Sequence, residues 1–285
     1  MLKIKLAKSI GFCSGVRRAI DIVEKTLNSH KGKVYSYGSI IHNPLVIRRL
    51  EEKNLFTVSS LNDVQDSSVV ILPSHGSPRF ILDVAKKKRL KLIDVICPYV
   101  SSVHKICESL YKKKFRVIII GDKTHPEVKA LIDLAPNARI IEKIDEIKEN
   151  EFSYKKIGII SQTTQAKEKF FQIVGRILEK NHNVSQVNIF NTICLDTSNR
   201  QEEVKRLAGA VDTLLVIGSR TSANTKRLLQ LGRKVNKKTF LVEHDNAVLD
   251  KVLKNARDVG IISGASAPQW LVKEIVKKIK QYKNK

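Results

Sequence analysis

Three widely spaced cysteines are the residues of this 285-residue sequence best suited to chemistry. Cys13, Cys97 and Cys194 are separated by 84 and 97 residues, and 91 residues follow the last of them. Each follows a short apolar run, in GFCSGV, DVICPYV and NTICLDTSNRQ. Thiolates are soft ligands, and three of them with a fourth position open suit an iron–sulfur cluster or a metal ion. No two lie in a CxxC pair, which disfavours a zinc ribbon or a bacterial ferredoxin site.

Burial as apolar side chains is the alternative interpretation for any scattered cysteine. We favour it for Cys107, which lies in a helical pattern beside Ile106 and Leu110. Four cysteines in a chain of this length favour reduced thiols or ligands over a disulfide framework, so a cytoplasmic location is expected.

A second group of loops is rich in hydroxyl, amide and imidazole side chains, and most of them connect a strand to a helix. They are IHNP (41–44), PSHGSP (73–78), THPE (124–127), SQTT (161–164), TSANT (221–225) and SGASAP (263–268). Free backbone N–H groups at helix N-termini favour anions such as phosphate, although ordinary helix capping explains any single loop. Because His42, His75 and His125 all lie at such junctions, we expect them to form one polar pocket.

Glu127 is the best candidate proton donor, since it lies two residues after His125 in the first turn of a predicted helix. A carboxylate at that position is also a favourable partner for the helix dipole, which is the alternative interpretation. The sequence has neither the GxGxxG pattern of dinucleotide-binding folds nor the GxxxxGK[ST] pattern of P-loops, so no built-in NAD(P) or ATP site is expected.

The elements that must position these residues follow a repeated pattern of strand, polar loop and amphipathic helix. Strands are predicted at 2–7, 34–37, 69–72, 92–96, 117–120, 140–142, 157–160, 187–190, 214–217, 240–242 and 259–262. Helices are predicted to carry Pro44, Pro98, Pro126 and Pro268 in their first turns. Such alternation predicts an α/β fold with mainly parallel sheets. The cysteine spacing predicts three similar domains, at 1–97, 98–193 and 194–285, with the N-terminal strand in the first.

The charge balance leaves a nucleic-acid-binding protein as a rival hypothesis. The chain has 52 Lys and Arg against 28 Asp and Glu, a net charge of +24. The lysines are dispersed, aromatic residues make up only 6%, and no RNA-binding signature is present, so we expect no nucleic-acid partner. No apolar run approaches the roughly 20 residues that span a bilayer, and the N-terminus alternates apolar and basic residues, which predicts a strand and not a signal peptide.

In these ordered motifs, from Gly11-Phe12-Cys13 to 264–268, the sequence closely resembles the 4-hydroxy-3-methylbut-2-enyl diphosphate reductases, which complete the non-mevalonate isoprenoid pathway. The resemblance implies a trefoil of three pseudo-symmetric α/β domains around a central 4Fe–4S cluster. Cys13, Cys97 and Cys194 would bind three irons, leaving the fourth as a Lewis acid for the allylic oxygen. Loss of that open iron would leave a 3Fe–4S form.

The resemblance also implies roles for the polar loops. His42, His75, Ser222, Asn224 and Ser266 would contact the substrate diphosphate. In addition, His125 would line the pocket, Thr163 would position the substrate hydroxyl or a water relayed to Glu127, and Thr197 would lie close to the site.

Three departures from the family pattern are visible. Ala223 replaces a second serine before the asparagine of the diphosphate loop, Asp196 begins a segment that more often contains alanine, and Thr124 replaces a glycine. None of them removes a proposed catalytic group, although the charge of Asp196 needs explanation.

The implied reaction is a two-electron reductive dehydroxylation, with Glu127 protonating the leaving oxygen and isopentenyl and dimethylallyl diphosphates as products. An external ferredoxin or flavodoxin would supply the electrons, and an acidic carrier would suit the positive charge. The enzymatic rival is a zinc hydrolase that uses the three cysteines and a metal-bound water, which predicts metal without sulfide.

Overall fold

A computed structural model describes residues 3–149, 154–244, 246–254 and 256–282 of the chain. Strands and helices alternate along these ranges, with short 3-10 helices at Leu61–Asp63 and Ile144–Glu146 between β3 and β4 and between β7 and β8. The strands are β1 (Lys3–Leu6), β2 (Val34–Tyr37), β3 (Leu55–Val58), β4 (Val69–Leu72), β5 (Lys91–Asp94), β6 (Arg116–Ile120), β7 (Arg139–Ile141), β8 (Lys156–Ser161), β9 (Gln186–Ile189), β10 (Thr213–Ile217), β11 (Thr239–Val242) and β12 (Asp258–Ser263). The helices are α1 (Ser14–Ser29), α2 (Pro44–Glu51), α3 (Phe80–Lys87), α4 (Pro98–Lys112), α5 (Pro126–Leu134), α6 (Lys167–Lys180), α7 (Leu195–Ala208), α8 (Ala223–Val235), α9 (Asn246–Leu253) and α10 (Gln269–Tyr282).

The strands form three four-stranded sheets, and every strand pairing in them is parallel. We call them the first sheet (β3-β2-β4-β5), the second sheet (β7-β6-β8-β9) and the third sheet (β11-β10-β12-β1). We number the strands of each sheet as first to fourth in the order β2, β3, β4, β5 for the first sheet, β6, β7, β8, β9 for the second and β10, β11, β12, β1 for the third. In every sheet the first of these strands pairs with the second and the third, and the third also pairs with the fourth. The α/β class with three related sheets is thereby confirmed.

The N-terminal strand does not belong with the strands that follow it in sequence. We expected it in the first domain, but β1 pairs with β12 and completes the third sheet, with Ile4 opposite Val259. The four residues KIKL carry an amphipathic edge-strand pattern that says nothing about which strand they pair with. The third copy of the repeated sheet therefore consists of β10, β11 and β12 from the C-terminal part of the chain and β1 from its N-terminal part.

The remaining elements lie close to their predicted positions, with two differences. Strand β3 is absent from our prediction because it is a short edge strand in which Leu55 is buried while Phe56 and Thr57 are exposed. Pro268 immediately precedes α10, where its carbonyl accepts from the N–H groups of Leu271 and Val272.

The central strands that carry the loops of interest are buried. All four residues of β4 and all five of β10 are buried, as expected for central parallel strands covered on both faces. Helix α6 packs Phe170, Ile173 and Ile177, spaced three and four apart, into one cluster with isoleucines of β6 and β8. Each such side chain contributes roughly 1.5–3 kcal/mol when fully buried.

Contacts divide the described residues into two compact units. The N/C unit comprises residues 1–17, 41–49 and 195–285 and contains the third sheet; the middle unit comprises residues 18–40 and 50–194 and contains the first and second sheets. The predicted domain boundaries near residues 97 and 193 both fall where the fourth strand of a sheet leads into a helix. No helix among the described residues is long and apolar enough to cross a membrane.

Candidate active site

The three candidate ligand cysteines occupy the same place in the repeated topology. Each lies between the fourth strand of a sheet and the next helix, as the residue that immediately precedes that helix. Each also donates its backbone N–H to a carbonyl two residues beyond the third strand of the same sheet. These bonds join Cys13 to Ala265 (3.1 Å), Cys97 to Ser74 (2.9 Å) and Cys194 to Thr163 (2.9 Å). One local construction therefore positions all three thiols.

The surroundings of these thiols suit anionic sulfur. All three are half-buried and outside any disulfide, and the backbone N–H of Val16 donates to Sγ of Cys13 at 3.4 Å. The N-terminus of a helix favours negative charge on a neighbouring group. Among the described residues, no three His, Cys, Asp or Glu side chains are gathered closely enough to hold a single metal ion. A cluster differs from an ion in this respect, because each thiolate binds its own iron.

Cys107 is confirmed as a buried structural cysteine. Its side chain is fully buried in α4, and its thiol donates to the carbonyl of Leu131 at 3.6 Å. Burial, together with the negative charge of Glu108, raises the pKa of the thiol to about 12.

Glu127 and Thr163 form a buried polar contact in the middle unit. Glu127 lies in the first turn of α5, after β6, and Thr163 follows β8, the strand that pairs with β6. The Thr163 backbone N–H donates to Oε1 of Glu127 at 2.7 Å, and Oγ1 of Thr163 donates to Oε2 at 2.7 Å. Because Thr163 also accepts from the N–H of Cys194, one residue connects the carboxyl group to a cysteine loop.

The protonation of Glu127 fits a proton donor. The side chain is only 2% exposed, and burial raises its pKa to about 7, although both hydrogen bonds from Thr163 favour the ionised form. A carboxyl group with this pKa carries a proton in a large fraction of molecules at neutral pH, which is the condition for general acid catalysis.

His125 has a defined orientation beside Glu127. Its Nδ1 accepts the backbone N–H of Glu127 at 3.2 Å and so caps α5, which begins at Pro126. In the neutral ring this bond places the proton on Nε2. His125 and Thr163 therefore both contact Glu127.

In the N/C unit, the loops that carry His42 and Ser266 are joined. Oγ of Ser266 donates to the carbonyl of His42 at 3.3 Å, and Nδ2 of Asn43 donates to the carbonyl of Ser266 at 2.8 Å. Burial, and secondarily the charge of Lys226, lowers the pKa of His42, so its ring is neutral at pH 7.

Asn43 is a positioning residue that our sequence analysis missed. It is 2% exposed, and its Oδ1 also accepts the N–H groups of Leu45 and Val46 at the start of α2. An asparagine directly before a helix-starting proline is the sequence signal that points to this cap.

The start of α8 presents a buried amide that has no hydrogen-bond partner among the residues that the structure describes. Ser222 caps the helix by accepting the N–H of Thr225 at 3.3 Å. Asn224 is 3% exposed, and within the described residues neither its Nδ2 nor its Oδ1 has a hydrogen-bond partner. A buried polar group left unsatisfied costs about 1–3 kcal/mol, so this amide indicates a site for a polar ligand.

Two glycines let α8 approach the ends of β10 and β12 closely. A Cβ on Gly218, whose φ is +153°, would lie 2.6 Å from Oγ1 of Thr225, and one on Gly264 would lie 2.1 Å from it. Larger residues there would push the Ser222–Asn224 loop away from the sheet edge.

The remaining predicted residues are placed as follows. His75 lies in the loop after β4 in the middle unit, whereas His42 lies in the N/C unit, so the expected single histidine pocket stays a prediction. Thr197 is 3% exposed on α7, one turn after Cys194. Ala223 begins α8 and keeps a backbone N–H at the helix start, and Thr124 is exposed, bonded to Asp122.

Comparisons with known proteins agree over nearly the whole chain. A family model described as "LytB protein" matches residues 4–280. A protein of Aquifex aeolicus named 4-hydroxy-3-methylbut-2-enyl diphosphate reductase is 36% identical over 285 residues, covering 99% of this chain and 97% of the relative. A relative of the same name in Helicobacter pylori is 37% identical over 280 residues, covering 98% of this chain and 99% of its own.

Two solved structures show the same fold. The E-1-hydroxy-2-methyl-but-2-enyl-4-diphosphate reductase from Plasmodium falciparum matches with a TM-score of 0.88 and 30% identity, over 96% of this chain and 87% of its own. An (E)-4-hydroxy-3-methyl-but-2-enyl diphosphate reductase, described as the terminal enzyme of the non-mevalonate pathway, matches with a TM-score of 0.72 and 35% identity, over 99% of this chain and 100% of its own.

Proposed function

Because the chain belongs to the LytB family, we propose that it reduces 4-hydroxy-3-methylbut-2-enyl diphosphate to isopentenyl and dimethylallyl diphosphates. The reaction breaks the allylic C–O bond, consumes two electrons and two protons, and releases water. Within the structure, the observation that carries the proposal is the buried Glu127, with a pKa of about 7 and two hydrogen bonds from Thr163.

We propose that Cys13, Cys97 and Cys194 bind a 4Fe–4S cluster. This ligand set is supported by the half-buried thiols and by their equivalent positions before three helices. Cys107 is not included among the ligands because its side chain is fully buried. When bound, such a cluster passes electrons singly and offers, at an iron without a protein ligand, a Lewis acid for the substrate oxygen.

Glu127 acts as the proton donor to the departing hydroxyl group. Its carboxyl group is shielded from water, so the proton it holds near neutral pH is directed to a group that enters the same site. Thr163 fixes both carboxyl oxygens and also contacts the substrate hydroxyl or a water between it and Glu127. His125 caps the same helix and presents Nε2–H as a further donor.

The diphosphate is bound by His42, His75, Ser222, Asn224 and Ser266, and Thr197 lies close to the substrate. The unsatisfied amide of Asn224 and the start of α8 support this assignment, since both offer hydrogen bonds to phosphate oxygens. A neutral His42 donates one hydrogen bond without a full charge. Ala223 can contribute its backbone N–H but no hydroxyl.

Electrons come from an external ferredoxin or flavodoxin. Such carriers are usually acidic, and the net charge of +24 would favour their association. The sequence motifs for a bound flavin or nicotinamide nucleotide are absent, which also supports an external donor.

Turnover with a chemical reductant tests the proposal without the natural carrier. Anaerobically purified protein, incubated with the substrate and reduced methyl viologen, should oxidise the dye and release both isomeric products. A protein that holds iron and sulfide but leaves the substrate unchanged would contradict the reaction. A colourless protein with zinc and no sulfide would support the hydrolase rival instead.

A further inference from the structure

Arg200 is a fully buried cation in the N/C unit. It lies in α7, is 2% exposed, and is among the largest fully buried side chains of the described residues. A buried guanidinium needs an ionic partner and a hydrogen-bond acceptor for nearly every N–H group, because its desolvation is costly. The groups around Arg200 meet this requirement, and two of them are backbone carbonyls of a single loop.

The partners of Arg200 come from three segments. Nε donates to Oδ2 of Asp196 at 2.8 Å, Nη1 donates to the carbonyls of Ser9 (2.9 Å) and Ser263 (2.8 Å), and Nη2 donates to the carbonyl of Gly11 at 3.0 Å. Asp196 is one turn earlier on the same helix, so its charge is matched by Arg200. This ion pair accounts for the acidic residue that departs from the family pattern.

Ser9 and Gly11 belong to the loop that leads from β1 to Cys13. Gly11 has a φ of +84°, which L side chains rarely adopt, and its own N–H donates to Oγ of Ser263 at 2.9 Å. Arg200 therefore holds the carbonyls of this loop against the end of β12, where the N–H of Cys13 bonds to Ala265. A lysine has neither the planar fork nor enough donors to make the same set of bonds.

We propose that Arg200, oriented by Asp196, is a positioning residue that fixes the Cys13 loop before any cofactor binds. The inference rests on the proposed function for the importance of Cys13, but the loop restraint itself does not require a cluster. Loss of this restraint should make the Cys13 thiol more reactive. The reactivity of Cys97 and Cys107, which belong to the middle unit, should not change.

The test measures the alkylation rate of each cysteine by mass spectrometry in the full-length protein, before and after cluster reconstitution. Arg200→Met should raise the Cys13 rate in the unreconstituted protein by about tenfold or more, because several hydrogen bonds that oppose local opening are lost. Arg200→Lys should recover part of the protection. The matched control is Arg48→Met on α2 of the same unit, an exposed arginine that should label like the wild type.

Cys107 serves as an internal reporter of unfolding, since it is fully buried. An Arg200→Met protein with Cys107 protected and Cys13 labelled at the wild-type rate would overturn the inference. If Cys107 also becomes reactive in that variant, the protein has unfolded and the Asp196→Asn variant provides the test. Asp196→Asn keeps the guanidinium and removes only its ionic partner. Selective labelling of Cys13 in Asp196→Asn supports the inference, and unchanged labelling of Cys13 contradicts it.

Reconstituted protein gives a second readout. The Arg200→Met variant should lose its visible cluster absorption in air faster than the Arg48→Met control. If the wild type bound no iron or sulfide, the proposed cofactor would fail, yet the alkylation result would still decide the role of Arg200.

Discussion

Thr163 donates hydrogen bonds to both carboxyl oxygens of Glu127, one from its backbone N–H and one from Oγ1, each 2.7 Å long. The two residues lie after neighbouring parallel strands, so the sheet itself brings them together. These bonds stabilise the ionised carboxylate, whereas burial opposes ionisation more strongly and raises the pKa of Glu127 to about 7. The balance gives an acid that is fixed in position and titrates near neutral pH.

Replacing Glu127 by Gln should strongly reduce turnover and leave the cluster in place. The amide keeps the size of the side chain but has no acidic proton, and general acid catalysis typically contributes 10²–10⁴-fold, so we expect a loss of about that size. Visible absorption and iron content, measured beside turnover, check the result. Glu52→Gln, at an exposed position, is the control and should behave like wild type. Cluster loss in Glu127→Gln would instead indicate a structural role.

Replacing Thr163 by Val should move the alkaline limb of the pH–rate profile upward. The Oγ1 bond favours the ionised form, so its removal raises the pKa of Glu127 further above about 7. A proton donor works below its pKa, and activity is lost as the pH rises through that value; the limb must therefore move to higher pH. Thr163→Ser keeps the hydroxyl and should restore the limb. A shift to lower pH in the valine variant would contradict the assignment of Glu127 as the acid.

Replacing Asn224 by Leu should weaken ligand binding without destabilising the ligand-free protein. The amide lacks partners among the described residues, so an apolar side chain of similar size should leave the ligand-free protein equally stable or more stable. The same change should weaken binding of inorganic diphosphate by about ten- to a hundredfold, since hydrogen bonds to a charged group contribute roughly 1.5–3 kcal/mol. Calorimetry and denaturant unfolding measure the two effects, with the exposed Gln230→Leu on α8 as control. Unchanged diphosphate affinity would remove Asn224 from the pocket.

Local features of the fold and site could be predicted from the sequence. Strands such as β4 and β10 are continuous apolar runs, and the motif around Glu127 places an acid at the start of a helix after a buried strand. The cysteines stand out because their types, spacing and flanking runs are all visible in the chain.

Long-range partnerships could not be predicted in the same way. Strand β1 pairs with β12 at the other end of the chain, and its KIKL pattern is compatible with any sheet edge. Arg200 bonds to the Ser9 carbonyl 191 residues away, and Asn43 bonds to Ser266 223 residues away. An arginine or asparagine in a polar segment resembles a surface residue until the acceptors around it are known.

Iron and acid-labile sulfide, measured in four single Cys→Ala variants and the wild type, test the central claim most directly. The wild type should hold about four irons and four sulfides per chain, as a 4Fe–4S cluster requires. The Cys13, Cys97 and Cys194 variants should lose most of both and lose turnover with a chemical reductant, whereas the Cys107 variant should keep them, because its thiol is buried against the Leu131 carbonyl. Wild-type protein with bound metal but no sulfide, or equal iron loss in all four variants, would contradict the account.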